Sequence, residues 1–123
     1  MEARTSFRAD VHNAASARRF VADVLTQRGF SNRGIENAVL VTSEAVTNAI
    51  IHAGTAVGVV VVGDALMARI EVHDGVATPP APVDVDPEAA FGRGLRVIEA
   101  VAEAWGVEPT AHDGKCVWFE LRS

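Results

Sequence analysis

The stretch Ser43-Glu44-Ala45-Val46-Thr47-Asn48-Ala49-Ile50-Ile51-His52 sets a carboxylate and a carboxamide one helical turn apart within an otherwise apolar pattern. Residues four apart share a helix face, so Glu44 and Asn48 project together beside Val41, Ala45 and Ala49. An unpartnered buried carboxylate costs on the order of several kcal/mol. That face is therefore expected to line a cavity holding water, a metal or a ligand. A second carboxylate, Asp74, closes a run in which Leu66, Ala68, Ile70 and Val72 alternate with Met67, Arg69, Glu71 and His73. The parity carries Asp74 onto the apolar face. A third feature, Gly92-Arg93-Gly94, opens a helical pattern. A helix N-terminus offers unpaired N–H groups and a partial positive charge, and glycine lets a phosphate come close to the backbone. Together these groups suit a nucleoside triphosphate. Asn48 is a neutral oxygen ligand for Mg²⁺, Glu44 can take a proton from an attacking hydroxyl, and Asp74 can accept from an exocyclic amine, which favours adenine over guanine.

The elements that must position them follow from the hydrophobic periods. Ser6 to Asp10 reads as a short strand. Asn13 then caps a helix bearing Ala17, Phe20, Val21, Val24 and Leu25, which Gly29 stops. A second, central helix starts at Ser31 or Asn32, carries Ile35, Ala38, Val39, Thr42, Ala45, Val46, Ala49 and Ile50, and ends at Gly54. Val57–Gly63 and Leu66–Asp74 are β-rich and joined through Gly63-Asp64, which suits a tight primed hairpin. Residues 75–91 are rich in proline, alanine and aspartate, lack periodicity and read as a loop long enough to be functional. The helix opened at Gly92 bears Leu95, Val97, Ile98, Val101, Ala102 and Trp105 and closes at Gly106. Val107 to Ala111, a turn at Asp113-Gly114, and Lys115 to Leu121 form a terminal hairpin. The order β-α-α-β-β-loop-α-β-β does not alternate as βαβ units do. The expected fold is α+β, a two-layer sandwich with a mixed, mainly antiparallel sheet and the helices on one face.

With 123 residues, 49% hydrophobic and 22% charged, the chain has the size and composition of one compact globular domain over residues 1–123. Its formal net charge of −5 and scattered basic residues give no stripe for a phosphate backbone, so direct nucleic-acid binding is not expected. A single cysteine, Cys116, excludes an internal disulfide framework and a cysteine-rich zinc site. No apolar signal region opens the sequence, and runs such as Val59–Val62 are far short of a membrane span. The cytoplasm is the expected compartment, with no membrane partner.

The motifs resemble a known set. Ser43 to Ala53 looks like the N box, Val72-His73-Asp74-Gly75 like a reduced G1 box, and Gly92-Arg93-Gly94-Leu95 like the G2 box of the GHKL (Bergerat-fold) ATP-binding family, which includes gyrase and histidine kinases. Order and spacing agree. Within that superfamily the chain most closely resembles the bacterial anti-sigma factor serine kinases from Phe7 to Leu121, including the ending Gly114 to Leu121. The resemblance implies Mg²⁺ and ATP as cofactors, Glu44 as catalytic base, and Asn48 as Mg²⁺ ligand. It also implies Asp74 with Gly75 at the adenine, and Gly92, Arg93, Gly94 and Leu95 at the phosphates. It further implies a homodimer that holds a sigma factor inactive and phosphorylates a serine on an anti-sigma antagonist, with Arg18 on the partner surface. Two departures stand out. Val76 and Thr78 occupy positions where the family carries glycines, and Cys116 replaces a threonine. The stretch from Val76 to Phe91 also offers no Lys or Arg to the phosphates. These departures motivate an alternative, a non-catalytic ATP-binding module that sequesters a partner protein.

Other residues read as structural. A dinucleotide fingerprint fails because Val97 stands where its third glycine would be and no strand directly precedes Gly92, and there is no Walker A sequence. His52 is expected to hydrogen-bond near its loop, and His12, His73 and His112 to be exposed. Trp105 and Trp118 are expected to pack at the core or an edge. Cys116 is expected to be a plain strand residue.

Overall fold

The computed structural model describes residues 2–75, 93–110 and 114–123. Their order is β1 (Glu2–Phe7), α1 (Asn13–Arg28), α2 (Asn32–Asn48), a π-helical turn (Ala49–Ala53), β2 (Val57–Gly63), β3 (Met67–Asp74), α3 (Arg93–Val101), β4 (Ala104–Pro109) and β5 (Lys115–Arg122). The five strands form one sheet in the order β1-β2-β3-β5-β4, and every pairing is antiparallel. The fold is α+β in two layers, and among the described residues the strand pairing is antiparallel throughout, where the sequence left room for a mixed sheet.

Each helix ends where its sequence makes continuation costly. Gly29 closes α1 in the left-handed region at φ 87°, and the backbone N–H of Phe30 bonds back to the carbonyl of Leu25. Ser31 caps α2 by accepting from the N–H of Gly34 at 3.0 Å, a contact worth about 1 kcal/mol. Asn13 does not cap α1. It is the first helical residue after His12, and its side-chain amide donates to the carbonyl of Arg8.

The inward face of the sheet alternates as the β period requires. Ala68, Ile70, Val72 and Asp74 of β3 are buried, as are Val57, Val59 and Val61 of β2 and Val117, Phe119 and Leu121 of β5. Val21 and Leu25 of α1, Val41 and Val46 of α2 and Ile98 of α3 close over them in one core. Helix α2 lies at its centre, packed on α1, α3, β3 and β5.

The outward face carries charge. Arg69 stacks 4.4 Å from the centroid of Trp118 and donates to Glu71 at 3.0 Å, while His73 Nε2 sits 2.8 Å from the other oxygen of Glu71. Burial pushes Glu71 up, but the hydrogen bonds from His73 and Arg69 outweigh it and hold the carboxyl below its ordinary value.

Several boundaries differ from the sequence expectation. The first strand is Glu2–Phe7 rather than Ser6–Asp10, because pairing with β2 in the register Phe7↔Val57 decides it. The β2–β3 connection reverses at Ala65-Leu66 rather than at Gly63-Asp64, with the N–H of Asp64 bonded to the carbonyl of Met67 at 3.0 Å. The Asp64 carboxylate braces that turn by accepting from the N–H groups of Leu66 and Met67, which holds its carboxyl low, and Leu66 is left exposed outside the strand. Helix α3 stops at Val101, and Trp105 belongs to β4, opposite Phe119. The last strand pair thus begins at Ala104 rather than Val107. His73 is half-buried in its contact with Glu71 rather than freely exposed. The expected loop at 75–91 falls, beyond Gly75, outside the described residues, as do Gly92, His112 and Asp113 and the side chain of His52.

Candidate functional site

Glu44 and Asn48 lie on the last two turns of α2, both half-buried at the margin of a stripe made by Val41, Ala45 and Ala49. Their neighbours at helical spacing, Val41, Ala45 and Ala49, are fully or almost fully enclosed, so the two polar groups border the core. Directly after Asn48 the helix widens into the π turn Ala49–Ala53, which packs on β3 and ends at Gly54 in the left-handed region at φ 67°. Such turns interrupt the regular ladder and recur at functional sites.

Asp74 is the last residue of β3, points to the helix side and is 5% exposed. The next residue ties the strand end to the helix end. The N–H of Gly75 donates to Thr55 Oγ1 at 2.9 Å, and Thr55 follows Gly54 directly. Asn48 and Asp74 are thus carried by two elements latched to each other, both on the inner side of the sheet. Gly114 sits against this corner so closely that a Cβ on it would run into the carbonyl oxygen of Asp74.

One partner of Asp74 is a residue that sequence reasoning missed. Lys115 is paired with it across β3 and β5, and its Nζ lies 3.3 Å from Oδ2. The carboxylate is 2% exposed and the lysine side chain 31%, so the pair joins a buried anion to a cation that reaches solvent. A lysine after a turn glycine reads as a solvated residue. Only the register of the terminal hairpin places it opposite Asp74. Thr55 was missed for a similar reason, since a threonine in a short connection carries no periodic signal.

Arg93, Gly94 and Leu95 form the first turn of α3, which packs along α2. Arg18 of α1 is half-buried and donates from Nη1 to Ser43 Oγ at 3.1 Å, next in sequence to Glu44. Cys116, whose sulfur is on the outward face beside His73, is pushed up to about 12 by burial, with Glu71 adding to the effect.

The donor set fits a magnesium nucleotide: an amide oxygen and a carboxylate side by side on one helix, and a buried carboxylate on the strand latched to it. Residues 7–121 match the family model of the histidine kinase-like ATPase domain. No curated protein matches the chain. Among the described residues no helix is long and apolar enough to cross a membrane.

Proposed function

Because the chain belongs to the histidine kinase-like ATPase domain family, we propose that it is an ATP-dependent protein serine kinase that acts as an anti-sigma factor. The observation that carries this reading is the placement of Glu44 and Asn48 on a helix end latched to the strand that presents buried Asp74. Bound Mg-ATP supplies the transferable phosphoryl group. Asn48 holds Mg²⁺ through its amide oxygen, and Asp74 accepts from the exocyclic amine of adenine. The backbone of Arg93, Gly94 and Leu95, with Gly92, faces the phosphates. Glu44 takes the proton from a serine hydroxyl of an antagonist protein. Arg18, with the first helix, contributes to the surface that meets a sigma factor or its antagonist, and the working unit is a homodimer in the cytoplasm.

A second reading has its own support in the Asp74–Lys115 pair. A carboxylate already engaged by a cation holds adenine less firmly, which suits a nucleotide-sensing module that sequesters its partner without phosphorylating it. Calorimetric titration with ATP, ADP and GTP, with and without Mg²⁺, tests the common core of both. Binding of ATP and ADP in preference to GTP is expected, and no binding of any adenine nucleotide would overturn both readings. Radiolabelled ATP with a serine-bearing antagonist then separates them, since binding without phosphoprotein leaves only the sequestering module.

A further inference from the structure

We propose that Glu71, His73 and Cys116 form a binding site for a zinc-type divalent transition metal on the sheet face turned away from the helices. One atom from each, a carboxylate oxygen, an imidazole nitrogen and a thiol sulfur, lie within 4.8 Å of one another. Among the described residues no other trio of histidine, cysteine and carboxylate groups converges in this way. The ligands come from rigid elements. His73 on β3 is directly opposite Cys116 on β5, Glu71 is two residues away on the same face of β3, and both strands are flanked on each side by another strand. Adjacent strands of one sheet hold their spacing closely, so the site is set by backbone pairing rather than by loop conformation.

The dimensions suit the cation. Zinc bonds of about 2.0–2.3 Å to oxygen, nitrogen and sulfur put tetrahedral ligand atoms roughly 3.3–3.6 Å apart. The trio lies within 4.8 Å, so its atoms stand about 1 Å from that spacing. His73 Nε2 and Glu71 Oε1 are 2.8 Å apart, and the cation takes the place of the proton they share. The other oxygen of Glu71 is held by Arg69 at 3.0 Å, the kind of outer support that fixes a ligating carboxylate. A carboxylate and a thiolate supply two negative charges to a divalent cation, and the neutral imidazole completes the protein donors. Mixed thiolate and imidazole donors select zinc-type ions over Mg²⁺ or Ca²⁺.

Access is built in. Gly58 stands opposite His73 on β2, and its missing side chain opens the imidazole to a groove of about 490 Å³ bordered by Arg4, Ser6 and Val60. Three protein ligands leave a fourth position for water or an outside donor from that groove. The site does not depend on the nucleotide reading, because it lies on the other face of the sheet. It does clip together the two strands that present Asp74 and Lys115.

The test uses tag-free, chelator-treated protein without nucleotide, titrated with Co²⁺ as an optical probe and then with Zn²⁺. One equivalent of cobalt is expected to give a sulfur-to-cobalt charge-transfer band and the intense visible bands of four-coordinate cobalt, both abolished by zinc. Cys116→Ser should remove the charge-transfer band, and His73→Gln or Glu71→Gln should weaken binding more than about tenfold. Circular dichroism checks that each variant is folded. Absence of the band in the unaltered protein, or binding undiminished by Cys116→Ser and His73→Gln, would overturn the site.

Discussion

Lys115 Nζ lies 3.3 Å from the Oδ2 of Asp74, so the carboxylate proposed to recognise adenine is also half of a cross-strand ion pair. The two roles compete for one group. Removing Lys115 leaves a buried anion with one partner fewer, and removing the charge of Asp74 takes one ionic partner from the lysine. Lys115→Met is therefore expected to lower stability by about 1–3 kcal/mol in chemical denaturation. Asp74→Asn should weaken ATP binding by about 1–3 kcal/mol. The double variant should recover part of the stability lost in Lys115→Met. Strict additivity in the cycle would show that the pair is not coupled.

Glu44 is proposed to act on the proton of the attacking hydroxyl and not on nucleotide affinity. Glu44→Gln should keep ATP affinity within about threefold while phosphoryl transfer falls by about 10²-fold or more. Equal transfer by both proteins in a radiolabel assay would remove Glu44 from the base role.

Gly114 faces the backbone of Asp74 across a gap too small for a methyl group. The added Cβ of Gly114→Ala must push the carbonyl of Asp74 aside, since backbone cannot swing away as a flexible side chain can. ATP affinity and melting temperature are both expected to fall. An unchanged titration curve would mean that this corner moves without consequence for the site.

Thr42 sits within the buried stripe of α2, fully enclosed, and its hydroxyl has no hydrogen-bond partner among the described residues. An unpaired buried hydroxyl is a cost that an isosteric methyl removes. Thr42→Val should raise stability by about 1 kcal/mol, measured by urea denaturation. Destabilisation instead would mean that the hydroxyl is satisfied in solution.

Burial and the neighbouring Glu71 hold the Cys116 thiol neutral up to about 12, against an ordinary value of 9.0. In metal-free protein it should react slowly with thiol reagents at neutral pH and quickly once unfolded. The folded state keeps the proton where the unfolded chain releases it. The contribution to stability is therefore complete below 9.0 and is lost as pH rises toward about 12. Cys116→Ala should flatten the fall of the urea midpoint over that window.

Much of this fold is legible in the residues. The stripe on α2, the glycine stop at Gly29 and the alternation that buries Asp74 are local patterns, and each was preserved because the core depends on it. The misplacements arise where two periods agree by coincidence or where pairing decides. Trp105 is four residues after Val101, so it continues the helical stripe, yet in the structure it lies on β4 opposite buried Phe119 and packs against the core. Strand β1 exists because β2 offers it an edge, not because Glu2–Phe7 has strong strand preference. Lys115 and Thr55 enter the site through register and chain reversal, which no single segment records.

The π turn after Asn48 spends one residue more per turn than an ordinary helix. That extra residue is slack held in reserve between Asn48, the amide proposed to hold Mg²⁺, and Thr55. Shortening the segment by one would let the helix resume its usual pitch while pulling Thr55 off Gly75. The spacing between these two boxes of sequence is accordingly fixed by a hydrogen-bonded strap rather than by the helix, and drift in length here would unfasten the corner before it disturbed the core.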